Sequence, residues 1–159
     1  MKLTPSCEIY IDGASRGNPG PAGIGVVLFE LPLEAESQRI VAHDDTQPVR
    51  QLSKAIGETT NNVAEYLALI YALQEALQQG YQTLTIKSDS ELLVRQINGQ
   101  YKVRDPRLRL FYDLALHLVR SFQTCSIRHI PRAQNALADR LAGHAADHQG
   151  RSAIVVAER

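Results

Sequence analysis

The chain has 159 residues, with 17 Lys and Arg balancing 17 Asp and Glu, so it is most simply one domain and carries no net charge. No apolar run approaches the ~20 residues of a membrane span, and residues 1–6 carry no signal-peptide core, so a cytoplasmic protein with no membrane attachment is expected. Neutral overall charge excludes a global attraction to polyanions, and any nucleic-acid binding has to come from a local patch.

Residues 7–12 read as a first strand that ends on Asp12 and runs into a stretch rich in Gly and Pro, "GASRGNPGPAG". β-Branched residues at 24–29 give a second strand. Residues 31–46 are acidic and patternless and read as an extended connection, and 49–56 make a third strand, completing an antiparallel meander. The period then changes: Val63, Leu67, Ile70 and Leu77 recur at helical spacing, and Gly80 closes the helix. A fourth strand is expected at 83–87 and a short helix at 90–98. Asp105 caps a third helix that starts with Pro106 and runs to about Phe122. A fifth strand follows at 124–130, holding Cys125, and a last helix at 134–148. Cys7 and Cys125 both fall in strands and are expected as free, buried thiols. Residues 1–148 form the domain and 149–159 a tail, whose "AIVVA" could dock on a sheet edge or on a second subunit. This order gives an α/β protein, a mixed sheet with helices on its faces.

In such sheets ligands gather at the carboxyl ends of parallel strands, where Asp12 and Asp89 would face one crevice. Taken singly, each candidate acid has an ordinary explanation. Asp12-Gly13 could be a turn, Glu65 could complete a capping box with Asn62, Asp89 could cap the next helix, and Asp139 could sit at a helix N-terminus because the dipole favours it. Ser88 with Glu91 would make a capping box of its own. Together they point elsewhere. Carboxylates clustered in a semi-dry crevice repel one another and raise each other's pKa, and hard divalent cations such as Mg²⁺ remove that cost. Two such ions about 4 Å apart would activate a water and stabilise a leaving oxygen in phosphodiester hydrolysis.

Four segments, "YIDGASRGNPGPAG", "TTNNVAEYLAL", "IKSDSELLVRQINGQY" and "HIPRAQNALADRLA", resemble in order the acidic motifs of the ribonuclease H type 1 family. The family's Asp, Glu, Asp, Asp set falls on Asp12, Glu65, Asp89 and Asp139, and the match is closest to its compact bacterial, archaeal and plant-domain members. The resemblance implies a ribonuclease H-like fold with a five-stranded mixed sheet, three antiparallel strands and then two parallel ones, with helices on both faces. It implies cleavage of the RNA strand of RNA–DNA hybrids with two Mg²⁺ ions, or Mn²⁺ in their place, leaving 5′-phosphate and 3′-hydroxyl ends. Substrate contacts would come from the backbone of Gly13, Ala14, Ser15 and Arg16 and from Asn18, Thr60, Asn61 and Asn62, with Glu65 also reaching the RNA. The glycines would let peptide groups lie against a sugar-phosphate backbone. A monomer without an obligate protein partner is expected.

Where many relatives carry a mobile His before the last acid, His129 and Arg132 compete here. Strand alternation puts His129 on the face of Cys125 and Ile127, which reads as a packed side chain. Arg132 follows Pro131 beyond the strand and is assigned to phosphate positioning or product release. Lys102, Arg104, Arg107 and Arg109 read as a solvated basic face or a phosphate track, and there is no tryptophan-bearing basic protrusion. His144 and His148 lie one turn apart but lack a third metal ligand. Glu91 replaces a Gln that often stands next to substrate in relatives. The rival reading is a catalytically silent nucleic-acid-binding module of the same fold, and retention of all four acids argues against it.

Overall fold

The computed structural model describes residues 5–31, 47–150 and 153–156. The expected connection over 31–46 therefore falls outside the described residues from residue 32 onward. Strand β1 (Ser6–Ser15) pairs antiparallel with β2 (Gly20–Leu31), and β2 pairs antiparallel with β3 (Arg50–Thr59). Helix α1 (Asn61–Gln78) leads to β4 (Thr83–Ser88), α2 (Glu91–Ile97) and α3 (Pro106–Val119). Then come β5 (Thr124–His129), a 3-10 turn (Arg132–Gln134), α4 (Ala136–Asp147) and β6 (Ala153–Val156). The sheet has six strands in the order β5-β4-β1-β2-β3-β6, with β4 parallel to both β1 and β5.

The expected count of five strands is corrected by β6, which pairs antiparallel with β3 from Arg50↔Val156 to Ser53↔Ala153. An edge strand offers a row of unpaired N–H and C=O groups, and the β-branched "AIVV" segment takes them up. No helix among the described residues is long and apolar enough to cross a membrane.

The two faces of the sheet are packed differently, and this places the site. Residues directly opposite on paired strands share a face. Ile9, Ile11, Gly13, Ile24, Val26 and Leu28 thus lie on one side, and the five apolar side chains among them share a core with Tyr66, Leu69 and Leu73 of α1. On the other side Gly23 and Gly25 meet α4, which buries Ala138, Ala142, Ala145 and Ala146. A Cβ on Gly25 would stand 2.2 Å from the Ala138 carbonyl oxygen, and one on Gly13 would stand 2.3 Å from the Ala64 carbonyl carbon. Of these, Gly13 and Gly23 belong to the stretch expected to need backbone freedom, whereas Gly25 falls in the expected second strand. Within that stretch only Gly17, at φ 132°, has a positive φ, while Gly13, Gly23 and Gly25 are strand residues kept bare for close helix approach.

Both thiols are unpaired, Cys7 buried and Cys125 half-buried. Each faces Leu84, Cys7 from β1 and Cys125 from β5, so they stand two strand spacings apart, roughly 9.5 Å and beyond disulfide reach. Burial pushes the Cys125 thiol up to about 11, and that of Cys7 higher still, so both remain protonated.

Candidate active site

The parallel ladder between β1 and β4 ends at Ile11↔Ser88, so Asp12 and Asp89 are the first residues past it on their two strands. β1 itself does not stop at Asp12, as expected, but continues opposite β2 through Ser15. Asp12 is therefore clamped from one side and open on the other. Glu65 comes from α1, which the bare Gly13 lets in close; the Gly13 N–H donates to Glu65 Oε2 at 3.2 Å.

The capping roles that competed for these acids are filled by their neighbours. Thr60 Oγ1 accepts from the Val63 N–H at the start of α1, and Ser90 Oγ accepts from the Leu93 N–H at the start of α2. Ser88 Oγ accepts from the Ser90 N–H, and Glu91 pairs with Arg95 at 2.9 Å. Glu65 and Asp89 are left for other work. Asp139 stands in the first turn of α4. That turn is tied to the first acid by Asn135, whose buried Nδ2 donates to the Ile11 carbonyl at 2.8 Å. The role of Asn135 was not anticipated. Its signal was an Asn four residues before Asp139 in "IPRAQNALADRLA", a spacing that puts both on one side of a helix start.

Donor atoms of Asp12, Glu65 and Asp89 lie within 4.8 Å of one another. Burial, followed by the charges of Glu65 and Asp89 and contact with Asp139, pushes the Asp12 carboxyl up to about 9. Burial and the charge of Asp89 push Glu65 up to about 8. Such a set is costly as bare carboxylates and suits a hard divalent cation, which takes oxygen donors and removes the repulsion. Among the described residues no other group of His, Cys, Asp and Glu converges in this way. His144 and His148 instead stack at 4.2 Å, with His148 Nδ1 bonded to the His144 carbonyl.

The four acids open into a groove of about 510 Å³, lined also by Gly13, Ala14, Ser15, Arg16, Asn61, Asn62 and Arg132. Asn18 and Thr60 border an adjoining recess of about 260 Å³, which Asn62 and Arg107 share. Two of the expected substrate contacts also brace the turn after β1. Asn61 Oδ1 accepts from the Ser15 N–H at 2.9 Å, and Asn18 Oδ1 accepts from the Asn61 N–H at 3.1 Å.

Arg132 lies in the groove, 3.4 Å from Asp139 and 80% exposed, whereas His129 does not line it. His129 is exposed, which corrects the expectation of a packed side chain. Ile97, Asn98, Leu116 and Val119 of the α2–α3 layer surround Cys125 and Ile127, and this cover ends before His129. Replacing Arg132 by Ala should lower turnover several-fold and leave thermal unfolding and cation affinity unchanged, as kinetics, melting and titration would show. An exposed pair adds little to stability.

A family model described as reverse transcriptase-like matches residues 10–145. A bifunctional protein of Mycobacterium tuberculosis is 39% identical over 150 residues, which are 94% of this chain and 38% of that protein. A ribonuclease HI of Halobacterium salinarum is 41% identical over 138 residues, 87% of this chain and 63% of the relative. The chain thus spans less than two thirds of either relative. The crystal structure of the Halobacterium salinarum ribonuclease H1 matches with a TM-score of 0.77 at 40% identity, covering 89% of this chain and 98% of that one. LC11 ribonuclease H1, from compost and solved with an RNA/DNA hybrid, matches at 0.75 and 40% identity, covering 89% and 96%. Strand order, helix placement and acid set together define a ribonuclease H-like domain. The chain belongs to the reverse transcriptase-like family, and within it to ribonuclease H type 1.

Proposed function

We propose that this chain is an endoribonuclease that hydrolyses the RNA strand of RNA–DNA hybrids, leaving 5′-phosphate and 3′-hydroxyl ends. One observation carries the reading: three carboxylates from three separate elements, Asp12 buried and Glu65 and Asp89 half-buried, bring donor atoms within 4.8 Å of one another. Asp12, Glu65, Asp89 and Asp139 would hold two Mg²⁺ ions, with Mn²⁺ as a substitute. When bound, such paired ions supply an activated water and stabilise the leaving oxygen.

The protein's part is to hold its groups still. Asp12 sits inside β1 and Asp89 follows the last residue of β4, so neither acid must reorganise to act. The Gly13 N–H fixes one oxygen of Glu65. Peptide groups of residues 13–16 and the amides of Asn61 and Asn62 line the groove where a ribose edge would lie, and the 2′-hydroxyl, which both donates and accepts, is what they would read. The guanidinium of Arg132 offers only N–H donors and no acceptor, so it suits holding the departing phosphate rather than taking a proton.

Labelled hybrid, duplex RNA and duplex DNA, each incubated with and without Mg²⁺, test this directly. Only the hybrid should be cut, and only with the ion. Placing 2′-O-methyl groups beside the scissile phosphate should abolish cleavage while salt-dependent binding persists. Equal cutting of duplex DNA, or hybrid binding with no cleavage in Mg²⁺, would refute the proposal.

A further inference from the structure

The outer wall of the groove is the turn between β1 and β2, and it is fastened on two sides. Toward α1 the Ser15–Asn61 and Asn61–Asn18 bonds hold it. Toward α4 the fastening is Arg16: its Nε lies 2.7 Å from Asp147 Oδ1, and its Nη2 lies 3.1 Å from Oδ2 and 3.3 Å from the Gly143 carbonyl oxygen. Two parallel N–H···O bonds between planar groups fix orientation as well as distance.

The partners on α4 follow a pattern. Asp139, Gly143 and Asp147 recur every four residues and so run along one stripe of the helix. The first is a candidate metal ligand and the last takes the guanidinium. Glycine is unfavourable inside a helix, yet a Cβ at Gly143 would stand only 2.9 Å from Arg16 Nη2, so the bare position makes room for the arginine. The pair is half-exposed, at 49% and 51%, and adds little to the stability of the fold. Its geometric effect is larger, because it joins the turn to the helix that carries Asp139.

We infer that Arg16 and Asp147 form a clasp that sets the distance between the turn that reads the substrate and the Asp139 helix, and so act as positioning residues for hybrid binding. The inference rests on the hybrid-cleaving function proposed above. It also gives the Arg16 side chain a task separate from the backbone contact expected of that residue. With the clasp open, substrate must pay to order the turn, so the loss falls on binding and spares the chemical step.

Steady-state cleavage of hybrid in Mg²⁺ by the wild type, Asp147→Ala, Arg16→Ala and the double variant tests the clasp. Asp147→Ala and Arg16→Ala should each raise KM about 2- to 5-fold, with kcat within about twofold of wild type, as expected for one exposed pair. The double variant should lose no more than either single one, and Asp147→Glu should recover most of the affinity. Amide exchange at Ser15 and Arg16 should quicken in all three Ala variants while melting temperatures stay level. Additive effects, or unchanged KM with unchanged exchange, would overturn the clasp. So would a lower KM for Asp147→Ala beside a higher one for Arg16→Ala, since the arginine would then be touching phosphate itself. A wild type that leaves the hybrid intact would remove the proposed function and the clasp with it, and that outcome is visible before any variant is compared.

Discussion

Asp12→Asn is expected to lower hybrid cleavage by more than about 100-fold while the protein stays folded. Changes in residues that merely orient metal ligands already cost about 10- to 100-fold, and in the proposed two-ion site Asp12 would supply a donor oxygen itself. Asn keeps the shape and removes the charge. The same substitution should change stability in a definite direction. Asp12 and Glu65 have folded-state pKa values raised above the ordinary carboxylate range, first by burial and then by nearby carboxylates, Glu65 and Asp89 for Asp12 and Asp89 for Glu65. Their protonated forms therefore favour the folded state. That contribution is fully present below about pH 4, where unfolded carboxylates titrate, and is lost as pH rises through about 8 for Glu65 and about 9 for Asp12. The metal-free wild type should thus lose stability across this window, and added Mg²⁺ should restore it by binding only the folded chain. Asp12→Asn should flatten the decline and shrink the response to Mg²⁺. Urea unfolding at several pH values, with EDTA and with Mg²⁺, reads all of this. A variant that still cleaves hybrid near the wild-type rate would refute the metal-ligand role.

Gly25→Ala is expected to cost about 1–3 kcal/mol of stability, the usual range for forcing extra volume into a packed interface, and to reduce cleavage more than that loss of stability explains. The added Cβ would lie 2.2 Å from the Ala138 carbonyl oxygen and 2.9 Å from the Ala142 nitrogen. Both are backbone atoms, so no rotamer change can relieve the contact, and α4 itself must move. Asp139 follows Ala138 directly and moves with it. Activity should therefore fall even at temperatures where circular dichroism shows the variant fully folded. An unaltered urea midpoint together with wild-type turnover would mean that the helix is not held at this distance.

Asp12 and Asp89 were legible twice over, as strand ends facing one crevice and as motifs in family order, whereas Glu65 and Asp139, which sit on helices, were reached through the motifs. The caps of α3 were equally legible, since Asp105 accepts from the Arg107 N–H at 2.9 Å and Pro106 opens the helix. What escaped depends on distances between elements far apart in the chain. Gly13 reads as a turn glycine, and Gly25 as one more residue of a strand, until the helices that press on them are placed. His129 keeps the alternation of its strand, but the covering layer ends one pair too early, and no local pattern records where a neighbour stops. Asn135 bonds to a carbonyl 124 residues away. Arg16 meets a carboxylate 131 residues away, and neither partner is unusual on its own.

The place of β6 has a consequence for how the chain is made. Strand β3 is complete by residue 59, whereas its outer neighbour begins only at residue 153. At ribosomal rates of about 5–20 residues per second, the intervening stretch takes roughly 5–20 seconds to emerge. Throughout that time the meander can form with one strand edge unsatisfied, able to recruit a neighbouring nascent chain. β3 carries its own defence, since Lys54 and Glu58 interrupt its apolar positions with charge. β6 later covers only Arg50–Ser53, so the charges of Lys54 and Glu58 flank the part of the edge that waits for its partner and stay on the part that β6 leaves uncovered.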